Sequence, residues 1–170
     1  ITHVFNSGNS FANYLGPFQT NNSLIYTSPS ISGLSGQALI QMNGVAGEDS
    51  ADEWQLNLKY ENGPFTAGAA YRNVETTDVD GWTVGLGYSG GNLSVGLTVE
   101  QVDDVADDYY GVVSYAFGAN IIRAAYGQVQ VDATDEDINH YALGFQHNLS
   151  KRSRLWVEYI GFNGDDFELD

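Results

Sequence analysis

Large apolar side chains alternate with small or polar ones through residues 141–163, and this pattern constrains the fold more than any other feature. The alternating apolar positions are Tyr141, Leu143, Phe145 and Leu149 in the first arm and Leu155, Val157 and Tyr159 in the second. Successive side chains of a strand point to opposite faces, so each arm has one apolar and one polar face. The basic segment 150–153 between the arms predicts a β-hairpin. We expect the chain to contain five such hairpins.

The same alternation predicts ten antiparallel strands along the 170-residue chain. Residues 1–21 show no period and are interpreted as an irregular segment, and residues 164–170 as an acidic loop. The predicted strands are 22–28, 37–43, 53–61, 64–75, 81–89, 93–102, 109–117, 121–131, 139–149 and 154–163. Most have about the 9–11 residues of a tilted membrane strand.

The connections between the predicted strands alternate in kind. One set is short and neutral or basic, at 61–64, 89–92, 118–120 and 150–153, with a somewhat longer 29–36. The other set is expected to be longer and is acidic, at 48–52, 76–80, 103–108, 132–137 and 164–170. Short turns on one rim and long loops on the other are typical of an up-and-down antiparallel sheet.

Two turn motifs predict which residues pair across their hairpins. A turn at Asn62-Gly63, where both positions favour positive φ, pairs Tyr60 with Phe65, Leu58 with Ala67, Leu56 with Ala69 and Trp54 with Tyr71. A turn at Gly90-Gly91 pairs Tyr88 with Leu93, Leu86 with Val95, Val84 with Leu97 and Trp82 with Val99. Both registers give one apolar face with aromatic residues near its ends, as expected where a barrel meets lipid headgroups.

The opposite face of these strands decides between two arrangements. It carries small and polar residues, among them Gln55, Asn57, Thr66, Thr83, Ser94 and Thr98. A soluble sandwich or lipocalin would turn the apolar face inward, but this polar face has few of the long charged side chains that cover soluble sheets. We therefore expect an all-β, up-and-down transmembrane β-barrel, apolar outside and polar inside.

Composition excludes several other classes of protein. No run approaches the ~18 apolar residues of a membrane helix. The chain has no cysteine, so disulfides and thiolate metal sites are excluded. Its net charge of −16, with only 6 basic residues, argues against a nucleic-acid partner.

Three short motifs resemble the general trimeric porins of the Gram-negative bacterial outer membrane. They are NSLIYTSP at 22–29 with SGLSG at 32–36, YENGPF at 60–65 with GAAY at 68–71, and the closing turn LSKRS at 149–153. The resemblance implies a sixteen-stranded barrel of which residues 22–163 supply ten strands, so that this is a partial chain. Residues 1–21 resemble the end of the loop that narrows the pore.

The resemblance also implies a function. A porin is a water-filled channel for passive diffusion of small hydrophilic solutes and ions, with no cofactor and no enzymatic activity. The expected partners are a homotrimer and the lipid and lipopolysaccharide of the outer membrane. The alternative is a small closed barrel acting as a structural anchor or adhesin through its acidic loops.

Charged residues on the polar face are the candidate pore lining. They are Lys59, Arg72, Arg123, Glu53, Glu100 and Glu158. Related porins place basic and acidic residues across the constriction, but in the predicted register Arg72 lies opposite Glu53, so a simple cross-strand ion pair is the competing interpretation. Ile25 stands where many relatives have an inward basic residue, which weakens an expectation of anion selectivity.

The acidic segments indicate weak binding of calcium or another divalent cation, with Asp103, Asp104, Asp107 and Asp108 as candidate ligands. No segment has the spacing of a twelve-residue calcium loop. A ring of carboxylates at the channel mouth favours cations over anions. The three histidines His3, His140 and His147 are scattered and form no local catalytic motif, so no enzyme is predicted.

Overall fold

A computed structural model describes residues 22–42, 51–75, 78–133 and 136–163, and these form one ten-stranded sheet. The strands are β1 (Ser23–Thr27), β2 (Leu34–Met42), β3 (Ala51–Asn62), β4 (Phe65–Val74), β5 (Val79–Gly90), β6 (Leu93–Val102), β7 (Ala106–Phe117), β8 (Asn120–Val131), β9 (Glu136–Asn148) and β10 (Arg154–Asn163). Each strand pairs antiparallel with its neighbours in the sequence. The prediction of ten antiparallel strands is confirmed, and the segments 1–21 and 164–170 lie outside the described residues.

The acidic connection between β6 and β7 differs from the prediction of a long loop. Only residues 103–105 join β6 to β7, and the Val105 amide bonds to the Val102 carbonyl at 3.0 Å. Asp104 adopts a positive φ of 58°, which an aspartate tolerates better than most residues. Asp107 and Asp108 belong to β7 itself, because its pairing with β6 continues to Ala106. The predicted long loop at 103–108 is therefore wrong, although the acidic character of this rim remains.

The register of the β3–β4 hairpin differs from the prediction by two residues. Asn62 pairs with Phe65, so the chain turns at Gly63-Pro64 and not at Asn62-Gly63. A turn at Asn62-Gly63 would need the amide of residue 64 to bond to the carbonyl of residue 61, and a proline has no N–H. Gly63 has a φ of 56°, and a glycine of positive φ followed by a residue of negative φ fits a type II′ turn.

The register of the β5–β6 hairpin also differs from the prediction by two residues. It turns at Gly91-Asn92, where Gly91 has a φ of 58°. The observed pairs are Tyr88 with Val95, Leu86 with Leu97, Val84 with Val99 and Trp82 with Gln101. Because side chains alternate with a period of two, a shift of two residues leaves every side chain on the face that the sequence predicts.

The two faces of the sheet differ sharply in exposure. On the face that we call the apolar face, Leu56, Leu86 and Leu143 are 51%, 57% and 57% exposed. On the other, the polar face, Gln55 and Thr83 are 3% and 1% exposed. The buried residues other than glycine in the described segments all lie on the polar face: Leu39, Glu53, Gln55, Thr83, Glu100, Ala125, Ala142 and Gln146. In a single-layered sheet, side chains become buried where curvature draws them together, so the polar face is the inner one.

Aromatic side chains lie towards both ends of the apolar face. Phe65 and Tyr88 are in contact near the short turns, with ring centroids 5.2 Å apart. Trp54 and Tyr71 are in contact towards the acidic rim, with centroids 5.1 Å apart. Rings at two levels with aliphatic side chains between them match the interfacial belts of a membrane barrel. Among the residues that the structure describes, no helix is long and apolar enough to cross a membrane.

Candidate functional site

The polar face is the candidate functional site, and hydrogen-bonded amides cover part of it. Gln55 donates to Asn57 at 3.0 Å, and Asn57 donates to Gln37 on β2 at 3.4 Å. Gln37 in turn donates to Thr27 on β1 at 3.0 Å. These side chains lie one beside the next because paired residues of neighbouring strands share a face. This part of the face offers amide and hydroxyl groups to water or a polar solute.

Arg72 and Glu53 form an ion pair, as the competing interpretation predicted. Nη2 of Arg72 donates to Oε2 of Glu53 at 2.9 Å, and Nε lies 2.8 Å from Oε1. The predicted geometry is wrong in one respect, because Arg72 stands opposite Gln55 and reaches Glu53 diagonally. The two side chains are 21% and 8% exposed, so most of the pair is shielded from solvent.

The remaining basic candidates of the polar face lie towards the short turns. Lys59 is 3.0 Å from Glu61 in an exposed pair near the end of β3. Arg123 near the start of β8 donates to Gln146 at 3.0 Å. Arg154 begins β10 and is exposed. The side of the polar face near the short turns is therefore the basic one.

Two acidic candidates that form no ion pair with a lysine or arginine of the described segments, Glu100 and Asp108, lie towards the opposite rim. Glu100 on β6 is buried, at 5% exposure, and its Cα partner on β7 is Asp108. Oδ1 of Asp108 is buried and has no hydrogen-bond partner. The sequence placed Glu100 in the pore lining and Asp108 in a metal site, whereas the structure brings the two together on the polar face.

Two further candidates lie on the polar face of the edge strands. Glu158 on β10 stands opposite Gly144 of β9. Ile25 on β1 stands opposite Leu39 of β2, so β1 presents an apolar side chain to this face where a basic residue was considered. A role of any of these side chains in lining a pore stays a prediction at this point.

The four candidate divalent-cation ligands are not gathered into one site. Asp103 and Asp104 lie in the β6–β7 turn, and the adjacent Asp107 and Asp108 point to opposite faces of β7. In the described segments no group of three or more carboxylates and histidines has a geometry that could hold a metal ion. Calcium binding at these residues gains no support from the structure and stays a prediction.

His140 is a residue that sequence reasoning missed. Its ring stacks on Tyr110 with centroids 5.9 Å apart and lies 6.4 Å from that of Phe162, all three on the polar face. The signal that could have found it is the period-two alternation of β9, which places His140 on the same face as Gln146. His147 lies on the apolar face, with Nδ1 2.7 Å from Oδ1 of Asn120, and His3 is outside the described residues.

The fold and the two faces together define the class of this protein. The sheet is part of the wall of a transmembrane β-barrel. Comparison with solved structures agrees with this class. A porin refined at 1.8 Å matches with a TM-score of 0.69 and 18% identity over 83% of this chain and 56% of that chain. Two engineered variants of the Rh. blastica porin match with TM-scores of 0.63 and 0.60 at 20% identity, over 82% and 84% of this chain and 50% and 54% of theirs. At these identities the likeness shows the fold.

The particular family follows from the sequence. The family model for Gram-negative porins matches residues 2–166, and the chain belongs to this family. It is therefore a protein of the bacterial outer membrane, and its family is one of channels and not of enzymes. It spans about half the length of the solved porins that it matches. No curated protein matches the chain significantly.

Proposed function

We propose that this chain forms part of the wall of a water-filled channel through which small hydrophilic solutes and ions diffuse passively. The observation that carries the proposal is the inversion of the two faces. Side chains that a soluble protein would bury, such as Leu56 and Leu86, are exposed, whereas Gln55, Thr83 and Glu100 are drawn inward. Such a sheet is stable where lipid covers the outside and water fills the inside.

The mechanism follows from the groups on the polar face and needs no cofactor and no catalytic residue. Amides and hydroxyls such as Gln37, Asn57 and Thr27 replace part of the hydration shell of a passing solute. The width of the barrel limits solute size, and the charges on its wall set the ion preference. We propose that the protein acts as a channel and has no enzymatic activity.

The charges of the polar face are separated along the strands. Arg123 and Arg154 lie near the short turns, and Glu100 and Asp108 lie near the acidic rim. Since the chain also has an overall net charge of −16, the acidic rim attracts cations and repels anions. This arrangement supports a mild cation preference that weakens as salt screens the carboxylates.

Planar-bilayer recording of the full-length protein tests both parts of the proposal. We expect current steps that scale with the bulk conductivity of the salt, as a water-filled pore requires. In a potassium chloride gradient the reversal potential should indicate cation preference, and this preference should fall as the salt concentration rises. Absence of conductance would contradict the channel, whereas conductance with clear anion preference would contradict only the role of the acidic rim.

The proposed partners are those of an outer-membrane channel. Small hydrophilic solutes and ions would pass along the polar face, while lipid and lipopolysaccharide would contact the apolar face and the acidic rim. We propose a homotrimer on the basis of family membership alone. Loose association of divalent cations with the acidic rim, bridging it to lipopolysaccharide, would add no resident cofactor.

The alternative of a small closed barrel acting as an anchor or adhesin is not favoured. A barrel closed by these strands alone would need β1 to pair with β10. In the described segments, however, each strand contacts only its neighbours in the sequence, and β1 and β10 lie at opposite edges of the sheet. The solved structures compared above are porins.

A further inference from the structure

Two carboxylates on the polar face lack the partners that usually accompany buried charge. Glu100 is 5% exposed, and Oδ1 of its cross-strand neighbour Asp108 is buried without a hydrogen bond. Thr83 is the Cα partner of Glu100 on β5, but its hydroxyl donates to the Val99 carbonyl at 3.2 Å and not to the carboxylate. Burying a charge is costly unless a partner compensates it. This pair is therefore suited to an external cation.

The basic side chains of the polar face are not available to this pair. In the described part of the chain, Arg72 is engaged by Glu53, Lys59 by Glu61 and Arg123 by Gln146. Arg154 begins β10 at the short-turn end of the face, whereas the pair lies towards the acidic rim. The charged or titratable groups around the carboxylates are His140 on β9, which interacts electrostatically with Asp108, and Glu158 on β10, which interacts electrostatically with Tyr110. Among the described residues, the charged neighbour of Glu100 is therefore Asp108, and His140 is the basic group that interacts with the pair, through Asp108.

A row of aromatic rings runs beside the two carboxylates. Tyr110 follows Asp108 by two residues on the same face of β7. The His140 ring stacks on Tyr110, with centroids 5.9 Å apart and planes 22° apart, and Phe162 extends the row with its centroid 6.4 Å from that of His140. The row therefore spans from β7 to β10 on the inner face of the sheet.

Gly127 makes this row possible. It lies on β8 between Tyr110 and His140, as the Cα partner of both. A Cβ at this position would collide with the His140 ring and would lie 3.1 Å from Cδ2 of Tyr110. A glycine here lets both rings lie against the backbone of β8.

We propose that the Glu100–Asp108 pair and the Tyr110–His140–Phe162 row form a binding site for organic cations that carry an ammonium group. The carboxylates supply the opposite charge, and aromatic faces attract a weakly hydrated cation through their π-electrons. A hard metal ion would need more oxygen ligands than this pair supplies, and no group of three possible metal ligands occurs in the described segments. This site rests on the proposed function, in which water fills the side of the sheet that carries the polar face. Organic cations would then be the class of solute that the proposed channel binds best.

Titration calorimetry of the full-length protein in detergent micelles tests this site, with choline chloride as the probe. The neutral analogue 3,3-dimethylbutan-1-ol has the same shape without the charge. We expect choline to bind and the analogue not to bind. The double variant E100Q/D108N should weaken choline binding by about tenfold or more, and Tyr110→Leu by about fivefold.

A control variant separates a built site from general attraction of cations to the acidic rim. Asp107→Asn removes the same charge one residue away, on the apolar face, and should leave choline affinity unchanged. A loss of affinity in D107N equal to that in E100Q/D108N, or binding of the neutral analogue, would overturn the proposal.

Conductance of the same preparations distinguishes this inference from the proposed channel. If the protein conducts potassium chloride but does not bind choline, the cation site is wrong and the channel stands. If it binds choline as expected but does not conduct, the channel is wrong and the site stands as a binding site alone. E100Q/D108N should still conduct but with a weaker cation preference, because both carboxylates belong to the acidic rim of the polar face.

Discussion

Glu53 and Glu100 are acidic residues of the polar face with nearly the same exposure, 6% and 5%, but with different surroundings. Glu53 has the Arg72 guanidinium at 2.8–2.9 Å, whereas Glu100 faces Asp108 and a threonine whose hydroxyl is used elsewhere. Alternation along the strands places both on the polar face from sequence alone. The Arg72 partner of Glu53 was also predicted, although its diagonal geometry was not. The pairing of Glu100 with Asp108 was not predicted, because it depends on how far β7 extends.

The adjacent pair Asp107 and Asp108 shows the same limit. The sequence shows two equivalent aspartates in an acidic segment, and both were considered as metal ligands. Once β7 extends to Ala106, alternation assigns Asp107 to the apolar face and Asp108 to the polar face. The error lay in the strand boundary, since strongly acidic residues rarely indicate a strand.

Replacing Arg72 with alanine should destabilise the protein by about 3 kcal/mol, because it leaves the carboxylate of Glu53 buried without its partner. Unfolding by urea in phospholipid vesicles measures this change. Lys59→Ala is the matched control: its pair with Glu61 is exposed, at 45% and 57%, and should contribute less than about 1 kcal/mol. Equal effects of the two substitutions would show that burial does not increase the contribution of the Arg72–Glu53 pair to the free energy of unfolding.

The strands and their faces were predictable from the sequence, whereas the turns of two hairpins were not. Leu93–Val102 and Arg154–Asn163 were predicted with their observed bounds. The registers of two hairpins were wrong by two residues, because dipeptides such as Asn62-Gly63 signal a turn without fixing its type. Pro64 could have corrected the predicted register of the β3–β4 hairpin, since its lack of an N–H excludes a turn at Asn62-Gly63. The assignment of side chains to the two faces remains correct because a two-residue shift preserves the alternation.

A charged residue in the middle of β5 or β6 should be tolerated on one face of the sheet only. Val84→Arg places a guanidinium on the apolar face and should cost about 3 kcal/mol in a bilayer. Thr98→Arg on the polar face of β6 should cost less than about 1 kcal/mol, since the side chain enters water. Urea unfolding in vesicles gives both values. A larger cost for T98R than for V84R would reverse the assignment of the faces.

At the scale of the whole molecule, the described segments form an open sheet with two free edges. β1 pairs only with β2, and β10 pairs only with β9. The chain spans 56% and 50% of two of the porin chains that it matches. The acidic and basic ends of the polar face give the wall an electrical polarity along its strands. The proposed channel combines this polarity with an inner face that carries mostly small or polar side chains on β3 to β6 and a mixture of polar and apolar ones on β7 to β10.

Cysteine labelling of the full-length protein in lipid vesicles tests the orientation of the sheet most directly, and the chain has no cysteine of its own to interfere. Single cysteines would replace Leu86 and Leu97 on the apolar face, and Asn57 and Thr98 on the polar face. A charged, water-soluble thiol reagent should modify the cysteines at 57 and 98 and leave those at 86 and 97 unmodified, since lipid covers them. Modification at 86 and 97 with protection at 57 and 98 would contradict the account.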